Sequence, residues 1–115
     1  MTIKRHNTGP RMSQAVEHGN TVYLAGLTAD DATQDVKGQT KQILAKIDAL
    51  LKAAGTDKSK LLSANIWLTD IKTWSQMNEV WDAWVSPGNT PARATVEAKL
   101  AAPGLNVEIM VQAAK

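Results

Sequence analysis

The chain has no cysteine, so disulfides, thiol nucleophiles and cysteine-ligated metals are excluded. Histidine is nearly as scarce. His6 and His18 are too far apart for ligand spacing, so no metal site is expected and both rings are expected at the surface. No long apolar run is present. The opening Met1-Thr2-Ile3-Lys4-Arg5 lacks a signal-peptide core, and no stretch reaches the length of a membrane span, so a cytoplasmic protein without membrane contact is expected. Gly19, Gly26 and Gly38 make no dinucleotide fingerprint, no phosphate loop occurs, and no Ser-His-Asp order stands out. Repeats and low-complexity segments are missing too. A strong charge of either sign is also lacking: the formal net charge is +2. Lys37, Lys41, Lys46 and Lys52 alternate with acidic and polar residues along one helical segment, the pattern of a solvated face rather than a nucleic-acid footprint.

What is present fits an ordinary globular chain. Of 115 residues, 43% are apolar and 21% charged, enough for one domain (residues 1–115) and too few for a second core. Residues 3–6 read as a short edge strand closed by Asn7-Thr8-Gly9-Pro10. Residues 12–17 and 21–27 read as strands around the turn His18-Gly19-Asn20. In the second, Val22 and Leu24 point one way and Tyr23, Ala25 and Leu27 the other, which suggests cover on both faces, part of it from another subunit.

Asp35 is placed to cap a helix running to about Ala54, with Ile43, Leu44, Ile47, Leu50 and Leu51 in one apolar stripe and Gly55 as the stop. Gly38 weakens its first turn by about 1 kcal/mol relative to alanine. Leu61–Thr69 reads as a strand. A second helix spans Trp74–Val85, where Trp74, Met77, Trp81 and Trp84 recur at helical spacing, as core packing rather than a ligand cage. Two amphipathic helices can cover only one face of the sheet, giving an α+β subunit whose other face, carrying Arg93, Glu108, Met110 and Met12, invites association.

The stretch Thr90–Gln112 reads as a β-hairpin around Ala102-Pro103-Gly104. In its first arm Arg93, Thr95 and Glu97 share a side; in its second, Asn106, Glu108, Met110 and Gln112 do. A turn near Leu100–Ala102 would set Arg93 opposite Glu108 on one face. Taken alone, that is a surface cross-strand ion pair of little energetic weight.

Pro91-Ala92-Arg93-Ala94-Thr95-Val96, followed by Val107-Glu108-Ile109, resembles the signature of the RidA (YjgF) family of enamine/imine deaminases. Ser13-Gln14-Ala15-Val16, Gly19-Asn20, Val22-Tyr23-Leu24-Ala25-Gly26, Gly38-Gln39-Thr40, Ala54-Gly55 and Asn78 match in order, so the resemblance covers nearly the whole chain. It implies a chorismate-mutase-like subunit with a mixed six-stranded sheet, two helices on one face, and a homotrimer with sites in clefts between subunits. It also implies that Gly38 lies close against the sheet. By the same resemblance Arg93 and Glu108 are catalytic, Arg93, Met12, Ala25, Gly26, Asn78 and Thr95 bind substrate, and no cofactor is needed.

Arginine offers a planar fork that grips a carboxylate bidentately, and a nearby glutamate can orient or deprotonate water. The implied reaction is hydrolysis of small 2-imino or enamine acids, or of a related carboxylate-bearing imine or amide, to 2-keto acids and ammonia. Three positions depart from the family pattern: Met12 stands for a tyrosine, Ala25 for a serine and Leu27 for a glutamine. Methionine and alanine cannot supply the lost hydroxyls, so a more apolar cleft is expected. The alternative reading is a non-catalytic protein of the same fold that binds a small carboxylate metabolite and regulates a partner. A ribonuclease or translation inhibitor, a role attached to relatives, has the least support because no basic-aromatic patch exists.

Overall fold

A computed structural model describes residues 1–115. Its strands are Ile3–His6 (β1), Ala15–His18 (β2), Thr21–Leu24 (β3), Leu61–Leu68 (β4), Ala92–Glu97 (β5) and Val107–Ala114 (β6). They form one six-stranded mixed sheet in the order β1-β2-β3-β6-β4-β5, in which β4 and β5 are parallel and the other neighbours antiparallel. The helices Val36–Ala53 (α1) and Trp74–Trp84 (α2) pack on one face. No helix is long and apolar enough to cross a membrane.

The α1 boundaries follow from local chemistry. The Asp35 side chain accepts from the Gly38 N–H (2.9 Å), satisfying a donor the first turn would otherwise leave orphaned. At the other end Gly55 takes φ 79°, its N–H bonds to the Lys52 carbonyl and that of Thr56 to the Leu51 carbonyl, a Schellman closure that needs a left-handed residue. The stripe Ile43, Leu44, Ile47, Leu50 and Leu51 is buried as expected. The atoms nearest Gly38 belong to Gln34 rather than to the sheet. A Cβ there would stand 2.8 Å from the side chain of Gln34, in the loop that enters the helix.

Opposite the helices, Val107, Ile109, Val111 and Ala113 of β6 align with Leu68, Ile66, Ala64 and Leu61 of β4, and all are buried. This pair is the floor of the core, and Met77 and Trp81 of α2 close it from above.

The expected hairpin between the last two strands does not form. β4 lies between them, paired in parallel to β5 on one side and antiparallel to β6 on the other. The physical reason is that period-2 alternation fixes which residues share a face, not which strand is the neighbour. The parity argument fails with it. Arg93 aligns with Ala64 and faces the helices, whereas Glu108 aligns with Trp67 and faces away.

Three smaller expectations also change. The first hairpin strand begins at Ala15 rather than at residue 12, because the Gly9 N–H bonds to the Met12 carbonyl and turns the chain. β3 ends at Leu24. Beyond it the alternation breaks, and Leu27 is buried on the core side, bridged to Ile109, instead of sharing a side with Tyr23. His6 is not a surface residue. Its Nε2 meets Glu17, a carboxylate only 7% exposed that also accepts from Lys115 Nζ (2.6 Å). Those two hydrogen bonds, that of Lys115 first, lower the Glu17 pKa to about 2.

Candidate functional site

Arg93 stands on the helix face of β5, an edge strand. Its Nη1 donates to Asn78 Oδ1 at 2.7 Å, and its guanidinium lies 5.4 Å from the centroid of the Trp81 indole. Asn78 and Trp81 are three residues apart on α2, hence neighbours on one helical face. No carboxylate forms an ion pair with Arg93. Glu97, four residues further along the strand on the same face, accepts instead from the Ile71 N–H (3.1 Å). The cation is therefore held in place yet not neutralised.

Thr95 lies between Arg93 and Glu97 on that face. Its Oγ1 is buried and has no hydrogen-bond partner, alone among the buried side-chain polar atoms of the subunit. A hydroxyl removed from water without a partner is costly, and native structures rarely tolerate it without a use.

Glu108 occupies the open face of β6, beside Trp67 of β4. It forms no ion pair. Its carboxylate packs on Gly26: a Cβ built at residue 26 would stand 2.4 Å from Oε2. Gly26 thus provides the space that the glutamate fills. Ala25 is partly buried against the core, and Met12 lies 48% exposed in the loop before β2.

Six of the seven residues expected at the site, Met12 apart, thus fall into two groups. Arg93, Asn78 and Thr95 gather between β5 and α2, while Glu108 and Gly26 meet on the open face, with Ala25 directly after the end of β3. Across two strand spacings, about 10 Å, and on opposite faces of the sheet, Arg93 and Glu108 cannot hold one small molecule between them within a subunit. Two cavities of the chain contain neither. A groove of about 630 Å³ runs between α1 and α2, lined by Lys41, Asp48, Val80 and Trp84 among others, and a shallower hollow of about 450 Å³ follows residues 99–106. Unpaired charge and an orphaned hydroxyl mark these positions better than concavity does.

The Trp81 shelf beneath Arg93 was not legible in the sequence, where tryptophans at helical spacing read as core. Trp81 is core as well, only 4% exposed. The available signal was the i, i+3 pair of an amide and an aromatic on a helix preceding an edge-strand arginine.

Comparison with known proteins agrees with this architecture. The chain is 43% identical over 114 residues to the RutC family protein YoaB of Escherichia coli, covering 99% of each. A crystal structure of a YjgF family member from Neisseria meningitidis superposes with a TM-score of 0.97 at 43% identity, covering 100% of this chain and 96% of that one. A chloroplastic protein of Arabidopsis thaliana named Reactive Intermediate Deaminase A is 32% identical over 106 residues, 87% of this chain and 55% of its own length. The family model described as endoribonuclease L-PSP matches residues 2–115, and with these relatives it establishes that the chain belongs to that family, which the RutC and YjgF names also denote.

Proposed function

We propose that the protein hydrolyses small 2-imino or enamine acids to 2-keto acids and ammonia, at clefts between the subunits of a chorismate-mutase-like homotrimer. The observation that carries the reading is the pair of opposite charges, Arg93 and Glu108, each without an ionic partner and each on a different face of the sheet. Charges so placed complete one another only when a second copy brings its open face to the first copy's edge. Exposed apolar side chains on that open face, Tyr23 (42%) and Val96 (50%), favour such contact. The name of the Arabidopsis relative supports the chemistry.

In this reading Arg93 grips the substrate carboxylate. Glu108 takes a proton from water as its oxygen bonds to the imine carbon, and the nitrogen receives a proton. The carbinolamine then collapses: the carbon–nitrogen bond breaks, a carbonyl forms and ammonia leaves. Thr95, Asn78, Gly26, Ala25 and Met12 shape the cleft. The reaction proceeds unaided in water, so positioning and electrostatic help suffice without a cofactor. Such short-lived substrates suit a cytoplasmic enzyme working beside their source.

A second reading, a non-catalytic binder of small carboxylates, is favoured by Met12 and Ala25, which supply no hydroxyl. Nucleic-acid cleavage has less support. Lys37 is paired with Glu79 and Lys46 with Asp30, so the basic residues of α1 are partly neutralised and form no stripe.

The test generates a 2-imino acid with an amino-acid oxidase and follows its lifetime by semicarbazide trapping. Wild-type protein shortens that lifetime, Arg93→Ala abolishes the effect, and Glu108→Gln keeps carboxylate binding but loses most of the rate. Arg93-dependent carboxylate binding without acceleration of any imine would leave the binder. Light scattering at micromolar concentration is expected to give three copies, and a monomer would remove the intersubunit cleft.

A further inference from the structure

We infer that Asn78 and Trp81 form a neutral clamp: positioning residues that fix the Arg93 guanidinium while leaving its charge for the ligand. The inference rests on the proposed reading of Arg93 as a carboxylate anchor. Everything that holds the guanidinium is uncharged, namely an amide oxygen at 2.7 Å and an indole face at 5.4 Å. A carboxylate at either place would hold an arginine at least as firmly, because charge-assisted bonds are the stronger ones. It would also neutralise the cation and compete with any anionic ligand. Glu97, on the same strand face, accepts from the Ile71 N–H, and Glu79, next to Asn78 in sequence, pairs with Lys37 at 2.7 Å.

The clamp also sets the direction of approach. Trp81, itself 4% exposed and fixed by the core, lies under the guanidinium and closes that side, and Asn78 occupies an Nη1 donor. Arginine has five N–H donors in a planar fork, so the edge carrying Nε and Nη2 stays open for bidentate binding. Asn78 therefore acts through Arg93 rather than on the ligand. The resulting site is an anchor for a single carboxylate, oriented before the ligand arrives.

Exchanging the amide for a carboxylate of the same shape separates holding from neutralising. In Asn78→Asp the guanidinium stays held, the melting temperature does not fall, and affinity for pyruvate and 2-ketobutyrate in isothermal titration drops about tenfold or more. Asn78→Ala, which loses the holder without adding charge, weakens binding by only about threefold to fivefold. Trp81→Phe keeps a ring beneath the cation and stays within about twofold, whereas Trp81→Leu loses about fivefold. Proton NMR gives a reading that packing loss alone would not move: the Arg93 side-chain signals, shifted upfield by the indole, return toward ordinary positions in Trp81→Leu. If Trp81→Leu does not fold, Asn78→Asp decides alone. Wild-type affinity in Asn78→Asp, with binding still abolished by Arg93→Ala, overturns the clamp and leaves the proposed function standing. Failure of the wild type to bind any carboxylate of the series overturns both.

Discussion

Gly26 and Glu108 meet on the open face of the sheet, where the absent side chain of one is the space occupied by the carboxylate of the other. A Cβ at residue 26 would stand 2.4 Å from Glu108 Oε2 and 3.2 Å from the carboxyl carbon. The glycine is not required for backbone freedom, since its φ is not among the positive values of the chain. Its role is to let an unpaired carboxylate lie flat against the backbone, in one orientation.

Gly26→Ala tests that role without attacking the core. The clashing atoms are the far end of a flexible side chain, so the glutamate swings aside and stability changes by less than about 1 kcal/mol. Under the proposed function, imine hydrolysis falls about tenfold or more, because a misplaced base costs rate even when binding survives. Denaturant melts and semicarbazide trapping on the same preparation check both halves. A large stability loss would mean that the carboxylate is locked and the backbone must yield.

Thr95→Val makes the opposite trade. The hydroxyl has no partner in the subunit, so replacing it by a methyl group of similar shape is neutral or stabilising, by up to about 1–2 kcal/mol. If the hydroxyl meets the ligand, affinity for 2-keto acids falls at the same time. Calorimetry and thermal melts measure the two effects separately. Destabilisation by the valine would show that Oγ1 has a partner other than the ligand.

Gln39 ties together two loops on the helix side. Its side chain is fully buried, donates to the carbonyls of Gln34 (2.9 Å) and Gly104 (2.8 Å), and accepts from the Asn106 N–H (2.8 Å). Gln39→Met keeps the volume but orphans these backbone groups, at a cost of about 2–4 kcal/mol in urea unfolding. Gln39→Glu is worse at neutral pH, because it turns a carboxylate toward two carbonyls. A cost under about 0.5 kcal/mol for Gln39→Met would mean that water replaces the amide easily.

The legible parts of the sequence were those decided locally. The Asp35 cap, the Gly55 stop and the stripe on α1 depend on neighbours a turn away, and the structure has them at the expected residues. What periodicity could not supply was the partner of each strand. The insertion of β4 between β5 and β6 is a long-range choice, favoured by the burial of Leu61, Ala64, Ile66 and Leu68 beside the apolar row of β6, and it turned Arg93 and Glu108 to opposite faces. Leu27 shows the same limit on a smaller scale: one break in alternation after Leu24 returns it to the core. Pairing Arg93 with Asn78 and Trp81 likewise required knowing that α2 packs beside an edge strand.

Acid should unfold the protein partly through Glu17. Its carboxylate is buried, bonded by Lys115 and His6, and its pKa is lowered from 4.5 to about 2. The folded state therefore holds the proton less tightly than the unfolded chain does. The stabilisation is complete above the unfolded value of 4.5 and is lost as pH falls from there through about 2. In Glu17→Gln the charge is gone at every pH, and Lys115 and His6 each lose a carboxylate partner. That variant is less stable than wild type at pH 7 by about 1–3 kcal/mol. The difference shrinks as pH drops below the unfolded value, because wild type then loses by protonation what the variant lacks already. Urea midpoints for both proteins between pH 7 and pH 3 measure this directly. A gap that stayed constant across the range would show that the carboxylate is not the titrating group, and that the fold depends on the shape of Glu17 rather than its charge.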